Sequence, residues 1–215
     1  MAKILLNGEN GQLEASYHRY KENNRKVAIV FHDHPSEGSH MNDKATYTAF
    51  HTFAENGFNV IRANYRGVGT SRGPFTNGEG EVCDGANILD WMQKNNEFAE
   101  EVWVAGVGFG AWLCFQLLMR RPDITNFIAI SPTVRKYDYS FVNSAPCPGI
   151  IINNHLEDAK DDGVKNFVNF LNKTENAEQI IYKVVKECDS KYTGRLKDLY
   201  EFASLYLMKH TRKFD

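Results

Sequence analysis

The chain has 215 residues, of which 42% are hydrophobic and 24% charged, the balance of a soluble protein with one hydrophobic core and not of a disordered chain. Lys and Arg number 25 against 27 Asp and Glu, a net charge of -2, which argues against a nucleic-acid binder relying on a strongly basic face. No apolar run approaches the roughly 20 residues of a membrane span, and the hydrophobic stretch after Met1 is too short for a signal peptide, so a cytoplasmic protein of one domain, residues 1–215, is expected.

Two short strands open the chain, Lys3–Asn7 and Gln12–Tyr20, with turn chemistry in the Asn7-Gly8 and Asn10-Gly11 steps between them. Leu13, Ala15 and Tyr17 alternate with polar residues, as in a half-exposed antiparallel strand. The pattern then changes to short, nearly continuous apolar runs: Val27–Phe31, Val60–Ile61, Val102–Ala105, Phe127–Ile130, Ile150–Ile152 and Ile180–Val185. Strands buried on both faces read this way, which implies a parallel sheet covered by helices. Helical patterns fill the gaps. Thr46–Asn56 ends at Gly57, a favoured left-handed cap; Val82, Ala86, Leu89 and Met92 form one stripe; Phe109–Arg121 is apolar almost all round and stops before Pro122. Val164–Leu171 and Leu196–Met208 supply two more. The expected fold is an α/β/α three-layer sandwich with a mostly parallel sheet, antiparallel strands at its N-terminal edge, and short connections throughout.

In open parallel sheets ligands bind at the carboxyl ends of the strands, and four loops there are distinctive. The first is His32-Asp33-His34-Pro35-Ser36-Glu37-Gly38-Ser39-His40-Met41. The second contains Arg66-Gly67-Val68-Gly69-Thr70-Ser71 and leads to Gly78-Glu79-Gly80-Glu81. The third is Gly106-Val107-Gly108-Phe109-Gly110, and the fourth is Asn153-Asn154-His155-Leu156-Glu157-Asp158. Together and in this order they resemble the α/β-hydrolase superfamily, in particular a small bacterial group without a cap domain whose members carry a His-Pro loop and an Arg-Gly-Val-Gly-x-Ser-x-Gly motif.

The resemblance implies a Ser-His-Asp triad, with the serine in a Gly-x-Ser-x-Gly elbow. Gly106 and Gly110 match the elbow, but Gly108 stands where the serine belongs and offers no nucleophile. The acid falls at Glu157, with Asp158 beside it. The loop after Ile180–Val185 places Ser190 where the base belongs. No His occurs between His155 and His210, and His210 is too near the chain end to serve. Gly108, Glu157 and Ser190 are therefore expected to be remnants of a triad, and no residue is assigned as catalytic. In the first loop, Asp33 and Ser39 depart from the family's Pro and Gly. His34, Gly38, Ser39 and Phe109 are the candidates for lining the pocket.

Other chemistry in these loops is weaker. His32, Asp33, His34, His40 and Asp43 could be assembled into a metal site, but a structural loop is the simpler account, so no metal or other cofactor is expected. Gly106–Ala111 fits Gly-x-Gly-x-x-Ala, yet the next strand ends in Ser131-Pro132 without the acid that would hold a ribose. The helix start after Gly108 still favours a small anion. Arg66 and Ser71 are expected to stabilise a turn, Glu79 and Glu81 to favour a helix start, and Trp91, Trp103 and Trp112 to pack in the core. Cys83, Cys114, Cys147 and Cys188 are widely spread, as free thiols would be.

A non-catalytic binding or scaffold protein follows most directly, its partner an unknown small ligand or protein and neither nucleic acid nor membrane. The alternative is an esterase or related acyl hydrolase with rebuilt residues drawn from Ser190, Cys188, Glu157 or the His32/His34 loop. A homo-oligomer whose interface covers the pocket is a third option.

Overall fold

The computed structural model describes residues 2–155, 163–173 and 180–214. An N-terminal hairpin pairs β1 (Ala2–Gly8) with β2 (Gly11–His18). The turn is Glu9-Asn10, so Asn7-Gly8, expected in the turn, instead belongs to the strand. The sheet continues with β3 (Lys26–Phe31), β4 (Asn59–Ala63), β5 (Glu101–Val107), β6 (Asn126–Ile130), β7 (Gly149–His155) and β8 (Ile180–Lys186). The 8 strands among the described residues form one sheet in the order β1-β2-β4-β3-β5-β6-β7-β8. The β1–β2 and β2–β4 pairs are antiparallel and the rest parallel.

Among the described residues five α-helices cover the sheet: α1 (Lys44–Glu55), α2 (Glu79–Lys94), α3 (Phe109–Leu118), α4 (Gly163–Leu171) and α5 (Leu196–His210). Alternating strand residues feed two cores. Val27, Ile29 and Phe31 face α2, α3 and α4, whereas Ala28 and Val30 face α1 and α5. Each buried side chain of this size contributes about 1.5–3 kcal/mol relative to exposure. Strands β3, β4, β5 and β6 are buried almost throughout, as continuous apolar runs require. The helix α1 ends where expected: Gly57 has φ 83, and Phe58 N–H returns to Phe53 C=O at 3.1 Å.

Two expectations need correction. Strand β8 is not buried on both faces; Lys183 is exposed and Ile181, Tyr182 and Val184 are only half-buried. It pairs with β7 alone and forms the sheet edge. The connection from β6 to β7 is not short and carries no helix: residues 131–148 run as an irregular segment. Its Tyr139, Val142, Ala145 and Cys147 are buried against the α3 side, so this segment replaces a helix as cover for the sheet.

Candidate functional site

Strand β5 turns sharply into α3 at Gly108, which adopts φ 54 and ψ -109. The flanking glycines are dictated by contact. A Cβ on Gly106 would lie 2.1 Å from the Gly110 backbone, and one on Gly110 would lie 2.6 Å from Phe31 C=O. The glycine pattern therefore packs the helix tightly on the strand, and no dinucleotide site is needed to explain it. Above Gly108 the space is filled. A Cβ there would meet Asp33 Oδ1 at 2.0 Å and Asp33 Oδ2 at 2.4 Å.

The Asp33 carboxylate is held by backbone donors. Its Oδ1 accepts from His34 N–H at 2.7 Å and from Phe109 N–H at 2.7 Å. Phe109 directly follows Gly108, and His34 lies on the loop leaving β3. Hydrolases of this fold aim two N–H groups from these same two places at a developing oxyanion. Here both converge on a carboxylate of the chain itself. The anion expected at the start of α3 is supplied internally.

A cavity of about 490 Å³ opens beside Asp33 at the carboxyl ends of the strands. Gly38, Ser39 and Asp43 line it from the first loop, Thr133 from the loop after β6, and Ser190 from the loop after β8. Gly38 and Ser39 are candidates for lining the pocket, and Ser190 is the position expected to be a triad remnant. Ser190 is exposed, and Glu157 lies outside the described residues, as does Asp158. A larger cleft of about 660 Å³, between Tyr20–Lys26 and the C-terminal segment, sits at the amino ends of β3 and β4, away from these loops.

One cluster joins a hydroxyl and a carboxylate that line the cavity to a neighbouring imidazole. Ser39 Oγ donates to Asp43 Oδ2, and His40 Nε2 lies 3.5 Å from Asp43 Oδ1. The order is wrong for serine activation, because the carboxylate stands between the serine and the imidazole and the base does not reach Oγ. Asp43 also accepts from His40 N–H at 3.1 Å, so the cluster fixes the loop.

The other histidines of this loop are engaged too. His32 is fully buried; Nδ1–H donates to Asp33 C=O at 2.7 Å, and Nε2 accepts from Tyr65 N–H at 3.2 Å. These bonds assign the neutral Nδ1–H form, and burial holds the imidazole down to about 4. With both nitrogens occupied by backbone groups, His32 has none left for a metal. His34 accepts from Ser36 N–H through Nδ1 at 3.1 Å, and Nε2 faces Asn77 Oδ1 at 3.2 Å. Its ring packs among Phe75, Phe109 and Tyr137. His34 and Phe109, expected to line the pocket, are not among the residues around this cavity; their backbone N–H groups hold Asp33 while their rings join an aromatic cluster.

The second loop is structural. Arg66, 1% exposed, donates from Nε to Asp84 Oδ2 at 2.8 Å and from an NH group to Gly80 C=O at 2.8 Å. Ser71 Oγ donates to Asn64 C=O and accepts from Glu14 N–H, each at 2.9 Å. Glu81 does more than favour the helix start: it is buried and accepts from Gly78 N–H at 2.7 Å and from Thr76 N–H at 3.0 Å. Trp103 is buried between Phe53, Phe58 and Tyr206, while Trp112 stacks on Phe109. All four cysteines are free thiols, Cys83 half-buried and the others buried.

This strand order, turn and loop arrangement define an α/β hydrolase fold, and the comparisons agree. The chain belongs to the family described as X-Pro dipeptidyl-peptidase (S15 family), whose model matches residues 12–191. It is 39% identical over 212 residues to the uncharacterized protein RP471 of Rickettsia prowazekii, covering 97% of this chain and 89% of that one. Among solved structures it resembles ATU1826 from Agrobacterium tumefaciens, a protein of unknown function provisionally assigned to the alpha/beta hydrolases (TM-score 0.90, 35% identity, 97% and 95% of the two chains). An alpha-beta serine hydrolase homologue from Coxiella burnetii follows, with TM-score 0.85, 28% identity and coverage of 96% and 97%. XC6422 from Xanthomonas campestris, a serine hydrolase without a lid, shares the fold at TM-score 0.88 and 23% identity, over 100% of this chain and 96% of that one. Among the described residues no helix is long and apolar enough to cross a membrane.

Proposed function

We propose that this protein is a pseudo-hydrolase, a binding or scaffold protein on an α/β-hydrolase fold whose acyl-transfer site is closed. The observation that carries this reading is the Asp33 carboxylate, which takes both N–H donors of the elbow region and fills the space above Gly108. A substrate carbonyl entering there would meet a negative charge where its own would develop. Gly108 supplies no nucleophile, and the position expected to hold the base is Ser190. The Ser39–Asp43–His40 cluster does not replace the triad, since its imidazole stands on the far side of the carboxylate.

The test is treatment with a fluorophosphonate serine probe, followed by mass spectrometry of the intact and digested protein. The expected result is no adduct beyond that of heat-denatured protein. A stoichiometric adduct on Ser39 or Ser190 would overturn the proposal in favour of a rebuilt active site.

A further inference from the structure

The cleft of about 660 Å³ at the amino ends of β3 and β4 carries a charge opposite to that of the chain as a whole. Lys21, Arg25 and Lys26 line it from the segment between β2 and β3, and Arg212 and Lys213 from the segment after α5, against the single carboxylate of Glu55. That carboxylate is already engaged: it accepts from Tyr200 O–H at 2.7 Å and lies 3.2 Å from His51 Nδ1. In a chain of net charge -2, such a gathering of cations is not a sample of the average surface.

Part of the cluster has a structural role. Arg25 pairs with Glu100 and lies over the Phe214 ring, 4.9 Å from its centroid. Lys26 donates from Nζ to Asn56 C=O at 3.0 Å, a cation at the negative end of α1, and this uses one of its three N–H groups. Thr211 N–H donates to Leu207 C=O at 2.9 Å and Arg212 N–H donates to Glu101 Oε1. These bonds fix the segment that brings Arg212 and Lys213 to the cleft. The side chains of Lys21, Arg212 and Lys213 are not explained in this way: they are exposed, and they make no ion pair among the described residues. Burial holds the Lys26 ammonium below its ordinary range, the nearby Glu101 carboxylate offsets part of this, and Lys21 adds repulsion.

Cations gathered in one concave site without matching carboxylates repel one another, and a bound anion removes that cost. The volume is that of a small-molecule site. We infer that this cleft binds a small polyanion, a di- or triphosphate or a polycarboxylate, held by Lys21, Arg25, Lys26, Arg212 and Lys213. The inference is independent of the pseudo-hydrolase reading, because the cleft lies at the opposite end of the sheet from the elbow.

The test titrates sodium tripolyphosphate and, separately, citrate into the intact protein at constant ionic strength balanced with chloride, followed by calorimetry. Saturable binding of one equivalent is expected, and the tighter of the two anions distinguishes a phosphate ester from a polycarboxylic acid. Lys21→Gln, which removes one exposed cation, should weaken binding about two- to fivefold. Combining it with Arg212→Gln and Lys213→Gln should weaken binding about tenfold or more. Lys44→Gln combined with Lys191→Gln removes cations from the cavity at the other end of the sheet and should change the affinity by less than about twofold, since charges so far away are screened. Absence of saturable binding, or unchanged affinity in the triple variant, would overturn the proposal. So would a loss of the same size in the Lys44 and Lys191 variant, which would reduce the effect to overall charge. A hexaglutamate peptide that binds more tightly than either anion would overturn it in favour of an acidic protein segment. None of these outcomes bears on the serine-probe test of the pseudo-hydrolase reading.

Discussion

Gly108 holds a sparsely populated backbone conformation that costs an L-residue about 1–3 kcal/mol, and any side chain there meets Asp33. Gly108→Ala should therefore destabilise by about 2–4 kcal/mol in chemical denaturation, combining backbone strain with overpacking. Removing Asp33 relieves the collision, so Gly108→Ala combined with Asp33→Ala should be less destabilised than the sum of the single variants by at least about 0.5 kcal/mol. Strict additivity would mean that the carboxylate does not occupy this space. His32 makes the pH prediction. Its folded-state value of about 4 lies below the ordinary 6.5, so between those values the unfolded chain takes up a proton that the folded chain refuses. Stability should fall as pH drops from 6.5 to 4, by on the order of 3 kcal/mol from this residue. Burial pushes His18 and His210 in the same direction, so the diagnostic is the comparison with His32→Gln, whose slope in urea unfolding should be shallower. An unchanged slope would contradict the buried neutral imidazole. The glycine at the elbow and the unusual Asp33 were both legible in the sequence. That Asp33 caps both N–H groups was not, because it depends on how the loop after β3 meets α3, 76 positions along the chain.

At the scale of elements, Arg66 ties the turn after β4 to the start of α2 and to the β1–β2 hairpin. Besides Asp84 and Gly80 it reaches Glu9 at 3.2 Å and lies 3.8 Å from Glu81. The Asp84 carboxylate holds the guanidinium above its ordinary value. Arg66→Met would leave Asp84 and Glu81 buried without their cation and should cost about 3–5 kcal/mol, whereas Glu9→Ala, at the half-exposed end, should cost under about 1 kcal/mol. Equal effects in denaturant melts would contradict this division. The expected structural role of Arg66 was legible because it sits in a glycine-rich turn, but its partners in α2 and the β1–β2 turn were not. Strand types were likewise readable from apolar runs, apart from β8, whose Ile-Ile-Tyr and Val-Val pairs give the same run at an edge as in the middle of a sheet. Residues 131–148 defeat periodicity for a different reason: their Tyr139, Val142 and Cys147 are buried by an irregular path with no repeat to detect.

For the whole molecule, the alternation of strands and helices predicts the sheet and its two cores, and the rule that ligands bind at strand carboxyl ends predicts which end carries the cavity. The larger cleft lies at the other end. At the carboxyl end the Asp33 carboxylate already takes the N–H groups of His34 and Phe109. The most direct measurement is turnover of an activated aryl ester such as p-nitrophenyl acetate by the wild-type protein and Gly108→Ser, each against its heat-denatured control. The account predicts no enzymatic turnover by either, because Asp33 takes the N–H pair that would have to stabilise the oxyanion. Saturable wild-type turnover that is abolished by a substitution in this cavity would contradict it.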